Sequence, residues 1–444
     1  MENSVQPIHV KTKSHQILFK GLTIGSLILL MLIPIAFVSN LVYERQARQQ
    51  EVVKEVSSKW ASPQTLSAPF LVVPYFETSL DDKGKPVLVK SKVMLFANEL
   101  NVKGDIFPEK RKRSIYTVLL YKTKVNFSGN FKPVIPAGIN IANLNFQEAI
   151  LCFAFSDFKG IEEEVVIDFN AQKYEMNPGL PVNQFGNIGL SVPLKLNGDD
   201  LTKGIPFSMD LNLKGSSQLN FLPLAGNSKF QIHSSWPDPS FDGNILPEQR
   251  DVNKEGFTAK WNFNRANLPF NLVTKESDVD SENIQFGVSL LQPADQYAKT
   301  MRSTKYAILF IGLTFSFFFI IELLQKKYFH PVQYVLVGLA LVIFYSLLLS
   351  ISEYILFVYA YLIAALATIL LITIYVKNHF KSWKTGGIFF GLLTCLYSFI
   401  YVLIMLEDTA LLVGSIGLFV ILALAMYVSR RINWYGDKQL VPAL

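Results

Sequence analysis

Two carboxylates stand in or against long apolar runs of this 444-residue chain. Glu322 lies near one end of the run Tyr306–Leu324, and Glu353 lies in the short gap after the run Val332–Ile351. Ionisable side chains at membrane depth commonly handle protons, ions or a substrate, which makes these two the candidate membrane polar sites. Both also lie close enough to an interface to reach water, as do Glu407 and Asp408, and a solvated acid there needs no further role. Outside the apolar runs the usable chemistry is thin. His233 is the one histidine in residues 44–305, so a Ser-His-Asp triad would have to use it. H-E-x-x-H, G-x-S-x-G, C-x-x-C, the Walker loop and G-x-G-x-x-G are all absent. One His and one Cys in that segment argue against zinc. The acidic pairs Asp81-Asp82 and Asp199-Asp200 read as turns rather than calcium ligands. No catalytic residue, cofactor or metal is expected.

One stretch, SSWPDPSFDGNILP at 234–247, interrupts an alternating region and invites a binding role. Pro237 and Pro239 lack an N–H, and Asp238 before a proline is biased away from helix. Asp242-Gly243 is a turn signal. Trp236 and Phe241 offer large apolar area that in a loop usually packs back on a core. The residues Trp236, Pro237, Asp238, Pro239 and Phe241 therefore read as a rigid corner between strands, and alternatively as a recognition or domain-docking loop.

The elements that position these groups follow from hydropathy. Gly21–Tyr43 carries no charge and is long enough to cross a bilayer, which needs about 20 apolar residues. It reads as an uncleaved anchor, since a secretory signal has a core of about 7–15 residues and a small-residue cleavage site. Five further segments follow: Tyr306–Leu324, Val332–Ile351, Ile355–Val376, Gly386–Leu406 and Ala410–Val428. Their connections alternate between basic and acidic. Eleven Lys and Arg fall on one side and none in the two short loops opposite, so both termini are expected in the cytoplasm. Lys299, Arg302 and Lys305 run against that rule, but they close a long exported segment, where charge counts for little. Gly387 and Gly391 match a small-xxx-small helix contact. The expected division is a tail 1–20, a first span 21–43, a periplasmic segment 44–305, a five-helix bundle 306–428 and a tail 429–444.

The segment 44–305 holds 30 of the 41 basic residues and 29 of the 35 acids, so it is nearly neutral and gives no reason to expect nucleic acid. Cys152 and Cys395 lie in different segments and cannot form a disulfide framework. Residues 44–60 read as a helix continuing out of the membrane. Beyond about residue 66 the period is two, in runs such as Ile115–Phe127, Phe207–Leu213, Phe257–Phe263 and Ile284–Leu290, punctuated by Gly, Pro, Asn and Asp. The expected class is a six-span (1 + 5) α-helical membrane protein with a large all-β, antiparallel, sandwich-like extracytoplasmic domain.

Several stretches together resemble the CreD family of bacterial cell-envelope-integrity inner-membrane proteins. They are WPDPSFDGNILP; Gln292-Pro293-Ala294-Asp295-Gln296-Tyr297 with Thr304–Leu309; and His330-Pro331-Val332-Gln333-Tyr334, running on through Phe344-Tyr345 to Ser352-Glu353. Ile33-Pro34, Glu44-Arg45 and Asn433-Trp434-Tyr435 fit as well. The resemblance implies an inner-membrane location, a link to envelope integrity and stress response, and changed sensitivity to colicins and β-lactams. It supplies no agreed enzymatic activity and no catalytic residues. The expected function is a non-enzymatic membrane protein whose β-domain binds an envelope protein or cell-wall component. The alternative is a transporter or lipid-handling protein that uses the bundle, with the lipid bilayer as partner in either case.

Overall fold

The computed structural model describes residues 13–80, 85–132, 134–136, 138–185, 188–197, 203–275, 282–290, 296–325, 327–406 and 409–430. Asp81, Asp82, Asp199, Asp200, Gln292 to Asp295, Glu407, Asp408 and Asn433 to Tyr435 lie outside the described residues. The chain divides into two units, one of residues 1–48 with 294–444 and one of residues 49–293.

The first unit is helical. Helix α1, Lys13–Trp60, is one element of 48 residues, so the first span and the helix expected after it are continuous. Pro34 lies inside it and is tolerated, as in many membrane helices. The remaining helices are α2 (Gln296–Lys305), α3 (Ala307–Gln325), α4 (Pro331–Ser352), α5 (Phe357–Phe380), α6 (Trp383–Met405) and α7 (Ala410–Ser429). All but the short α2 are long and apolar enough to cross a membrane, one at the N-terminal end and five at the C-terminal end. The HPVQ stretch is the start of α4. His330 Nδ1 accepts from the Val332 N–H at 3.3 Å, Gln333 Oε1 accepts from the His330 N–H at 2.9 Å, and Pro331 fills the first turn, where its missing N–H costs nothing. Ser382 caps α6 in the same manner at 3.4 Å. Aromatic rings fill the core of this unit, Phe310, Phe344, Tyr345, Tyr361 and Tyr397 among them.

The second unit is built of β-strands around one aromatic core in which Trp261, Phe70, Phe96, Phe127, Phe153 and Phe230 are fully enclosed. Its organising strand is Pro86–Arg113, 28 residues long. Up to Phe96 it pairs antiparallel with Phe70–Leu80, and from Glu99 it pairs with Tyr116–Phe131. By changing partner it carries the chain from one sheet to another, which is how packed sheets turn corners. The alternation read at 115–127, 207–213 and 257–263 corresponds to the strands Tyr116–Phe131, Ile205–Ser216 and Gly256–Phe263, with inward residues buried at every second position. Pairing is mostly antiparallel, in a barrel-like arrangement. Two parallel pairings depart from the expectation: Ala225–Ser234 lies along residues 97–106, and Gln64–Leu66 lies along Leu219–Phe221. Alternation reports burial of one face, not strand direction, so sequence could not reveal them.

Candidate functional site

Glu322 does not reach water. It is 4% exposed, and both of its oxygens are engaged. Oε1 accepts from the Phe329 N–H at 2.9 Å and pairs with the Lys20 ammonium of α1, while Oε2 accepts from the Tyr334 hydroxyl at 3.0 Å. Lys20 also donates to the Phe329 carbonyl at 3.2 Å. The solvated-acid expectation fails because position near a span end says nothing about what packs there. Phe329 folds back over Phe318, Tyr334, His379 and Phe380 and closes the site. The charge is buried because it is paired and hydrogen-bonded on every side.

Glu353 follows the last residue of α4. Its carboxylate faces Arg45 Nε at 3.8 Å and accepts from the Tyr297 hydroxyl at 3.1 Å. Lys20 and Arg45 are separated by 25 residues of one helix, roughly 37 Å at 1.5 Å per residue, slightly more than the ~30 Å hydrocarbon core. The two acids therefore hold the first span to the other helices, one at each end. This arrangement can fix register and tilt. A Cβ added to Gly387 or Gly391 would have no atom within 4 Å among the described residues, so no close helix approach is seen at this small-xxx-small pair.

In the β-rich unit the stretch 234–247 is only partly a corner. Pro239–Gly243 is a strand, antiparallel to Phe286–Leu290, and Pro239 is its first residue, a position where a missing N–H is tolerated. Gly243 ends it at φ +94, where a Cβ would lie 2.2 Å from the Gln285 carbonyl oxygen. Trp236 is buried in the core, Pro237 and Asp238 are exposed, and Phe241 packs edge-on against Phe257 and Trp261 at 5.8 and 5.9 Å. Asp242 accepts from the hydroxyls of Ser240 and Ser289. Pro239, Phe241, Leu246 and Arg250 line an open concavity of about 650 Å³.

A second feature escaped the sequence reading. Lys110, Arg111, Lys112 and Arg113 form the end of the long strand where it turns into Tyr116–Phe131, with Ser114 in the turn at φ +56. Side chains alternate across a strand. Lys110 lies over the Trp236 ring at 4.9 Å, and Arg111 lies over the Trp60 ring at 4.1 Å, with Lys214 also over Trp60 at 4.8 Å. The basic tip is thus braced by two tryptophans. Glu109 pairs with Arg111, and Glu55 pairs with Lys59 and Arg113, leaving an excess of positive charge. Lys59, Trp60, Arg111, Lys112 and Arg113 line a concavity of about 250 Å³. The signal was the four-residue basic run itself, hidden by the near-neutral total of its segment.

The remaining titratable groups offer little. His233 sits on an exposed strand face, and among the described residues its ring meets the Thr258 hydroxyl at 3.1 Å and no acid. Burial pushes the Cys152 thiol above its ordinary range, with Lys92 opposing weakly, so the group is a packed apolar one. Among the described residues no three His, Cys, Asp or Glu side chains cluster to hold a metal.

Comparison with known proteins adds two findings. Residues 16–435 match the family model described as Inner membrane protein CreD. The chain is 34% identical over 414 residues to the Inner membrane protein CreD of Escherichia coli (strain K12), covering 92% of each chain.

Proposed function

Because this chain belongs to the CreD family and is a multi-pass inner membrane protein, we propose that it supports envelope integrity by holding a periplasmic β-domain that captures an anionic envelope component. The asymmetry of Lys and Arg among the connections supports cytoplasmic termini and a periplasmic β-domain. The observation that carries the reading is the basic hairpin tip braced on Trp60 and Trp236. Arg111 stacks on the Trp60 ring and gives its Nε–H to Glu109, so its terminal N–H groups at the guanidinium edge are the ones offered to a phosphate or carboxylate, and the brace limits the entropy lost on binding. The reading needs no catalytic step. The transport reading draws on Glu322 and Glu353, and their ties to Lys20, Tyr334, Arg45 and Tyr297 favour a holding role instead.

The test is complementation of a strain lacking the protein, scored by uptake of a dye the intact envelope excludes. Lys112→Glu with Arg113→Glu is expected to abolish rescue at normal protein level, while Lys112→Arg with Arg113→Lys rescues. Full rescue by the reversed pair would remove the hairpin from the function.

A further inference from the structure

The three cations Lys299, Arg302 and Lys305 recur at every third position of α2 and stand where the positive-inside rule does not want them. Lys299 lies over the Phe357 ring at 5.8 Å, and Arg302 has its own contacts. Lys305 is exposed and forms no ion pair among the described residues. Directly below it, within the same helical unit, is a groove of about 430 Å³. Ile308, Leu309 and Leu313 of α3 form one wall, Gly414 and Leu418 of α7 form the other, and Leu403 of α6 forms the back.

Two glycines keep the groove open. A Cβ at Gly312 would meet nothing within 4 Å, and one at Gly414 would meet only Leu403 at 3.7 Å. One turn further along α7 the opposite holds: a Cβ at Gly417 would lie 2.3 Å from the Phe399 ring. Helix α7 therefore touches α6 closely at Gly417 and stands off α3 at Gly414. From Lys305 to Leu313 the groove runs eight residues, roughly 12 Å. That is less than half of a ~30 Å hydrocarbon core, so the groove belongs to one leaflet.

The geometry points to a binding site for one anionic glycerophospholipid, with its phosphate on Lys305, its backbone beside Tyr306 and an acyl chain in the slot between α3 and α7. An apolar slot in membrane-spanning helices can be filled only by lipid or by another helix, and the cation at its mouth, which forms no ion pair among the described residues, selects the anionic lipid. This site is independent of the hairpin proposal, and neither stands on the other.

The experiment is native mass spectrometry of the full chain in mild detergent, titrated with phosphatidylglycerol and separately with phosphatidylcholine. The wild type is expected to retain phosphatidylglycerol in preference to phosphatidylcholine. Lys305→Gln should weaken phosphatidylglycerol about five-fold and leave phosphatidylcholine unchanged, as expected for one basic residue at an anionic headgroup. Gly312→Leu, placed where the structure has room, should fill the slot and weaken both lipids. Equal binding of the two lipids by the wild type, or unchanged phosphatidylglycerol binding in both variants, would overturn the site. So would a dimer mass that Gly312→Leu converts to monomer, because the slot would then be a contact between two copies of the chain.

Discussion

Asp157 shows how one carboxylate can tie the chain down where it leaves α1 and reaches the first strand. Its two oxygens accept from the N–H groups of Ser62 and Lys159, both at 3.0 Å, and its own backbone is held by the Gln64 amide. Burial works against the charge, but these donors win and hold the carboxyl below its usual range. A depressed folded value contributes stability that is present above the unfolded value, about 3.9, and lost as pH falls through the folded one. Asp157→Asn should therefore lower the stability of the β-unit at pH 7 by less than about 1 kcal/mol, since the group is partly solvated. The difference from wild type should begin to shrink as pH falls below about 4 and be gone once pH lies below the depressed folded value, which an acid series of thermal melts would show. Glu322 is a larger case. Glu322→Ala would leave Lys20, the Phe329 N–H and the Tyr334 hydroxyl without their shared acceptor, at a cost of about 3 kcal/mol. Glu322→Gln keeps an acceptor and should cost less. Thermal melts of the two variants in detergent would rank them, and equal melts would remove the clamp.

At the scale of elements, the hairpin and the Trp236 stretch form one device. The hairpin is long, its end is charged, and a free tip would move. Trp236 on one side and Trp60 on the other hold successive residues of the same strand, Lys110 and Arg111. Trp236→Ala should cost about 3–5 kcal/mol as a large core truncation. It should also raise hydrogen exchange at residues 107–118 more than elsewhere in the β-unit. Uniform exchange would mean that Trp236 only fills space. The sequence showed half of this device. Trp236 and Phe241 were legible as packed aromatics because three prolines and a turn left them nowhere else to go. The partner was not legible, because Lys110 and Trp236 are 126 residues apart and only the strand-to-strand register brings them together. Glu322 has the same history. The helix that carries it could be read to within a residue or so, but Lys20 is 302 residues away.

At the scale of the whole chain, the 1 + 5 arrangement of spans was legible because twenty apolar residues in a row have one cheap solution in water and lipid. The sheet order was not, since parallel and antiparallel partners bury the same alternating pattern. What the arrangement produces is two separate cores. Among the described residues, none of the aromatic core around Trp261 belongs to the core around Phe310 and Tyr345. Stability should divide accordingly. Cores that share no side chains lose their packing independently, so a large truncation in one should leave the other's transition in place. Melting of the full chain in detergent, followed by tryptophan fluorescence and by helical circular dichroism, should give two transitions. Trp236→Ala should lower only the first probe's transition, because Trp236 and Trp261 both lie in the β-core. Glu322→Ala should lower only the helical one, because its partners all lie in α1, α4 and the turn before α4. If either variant moved both transitions equally, the two cores would be one cooperative unit.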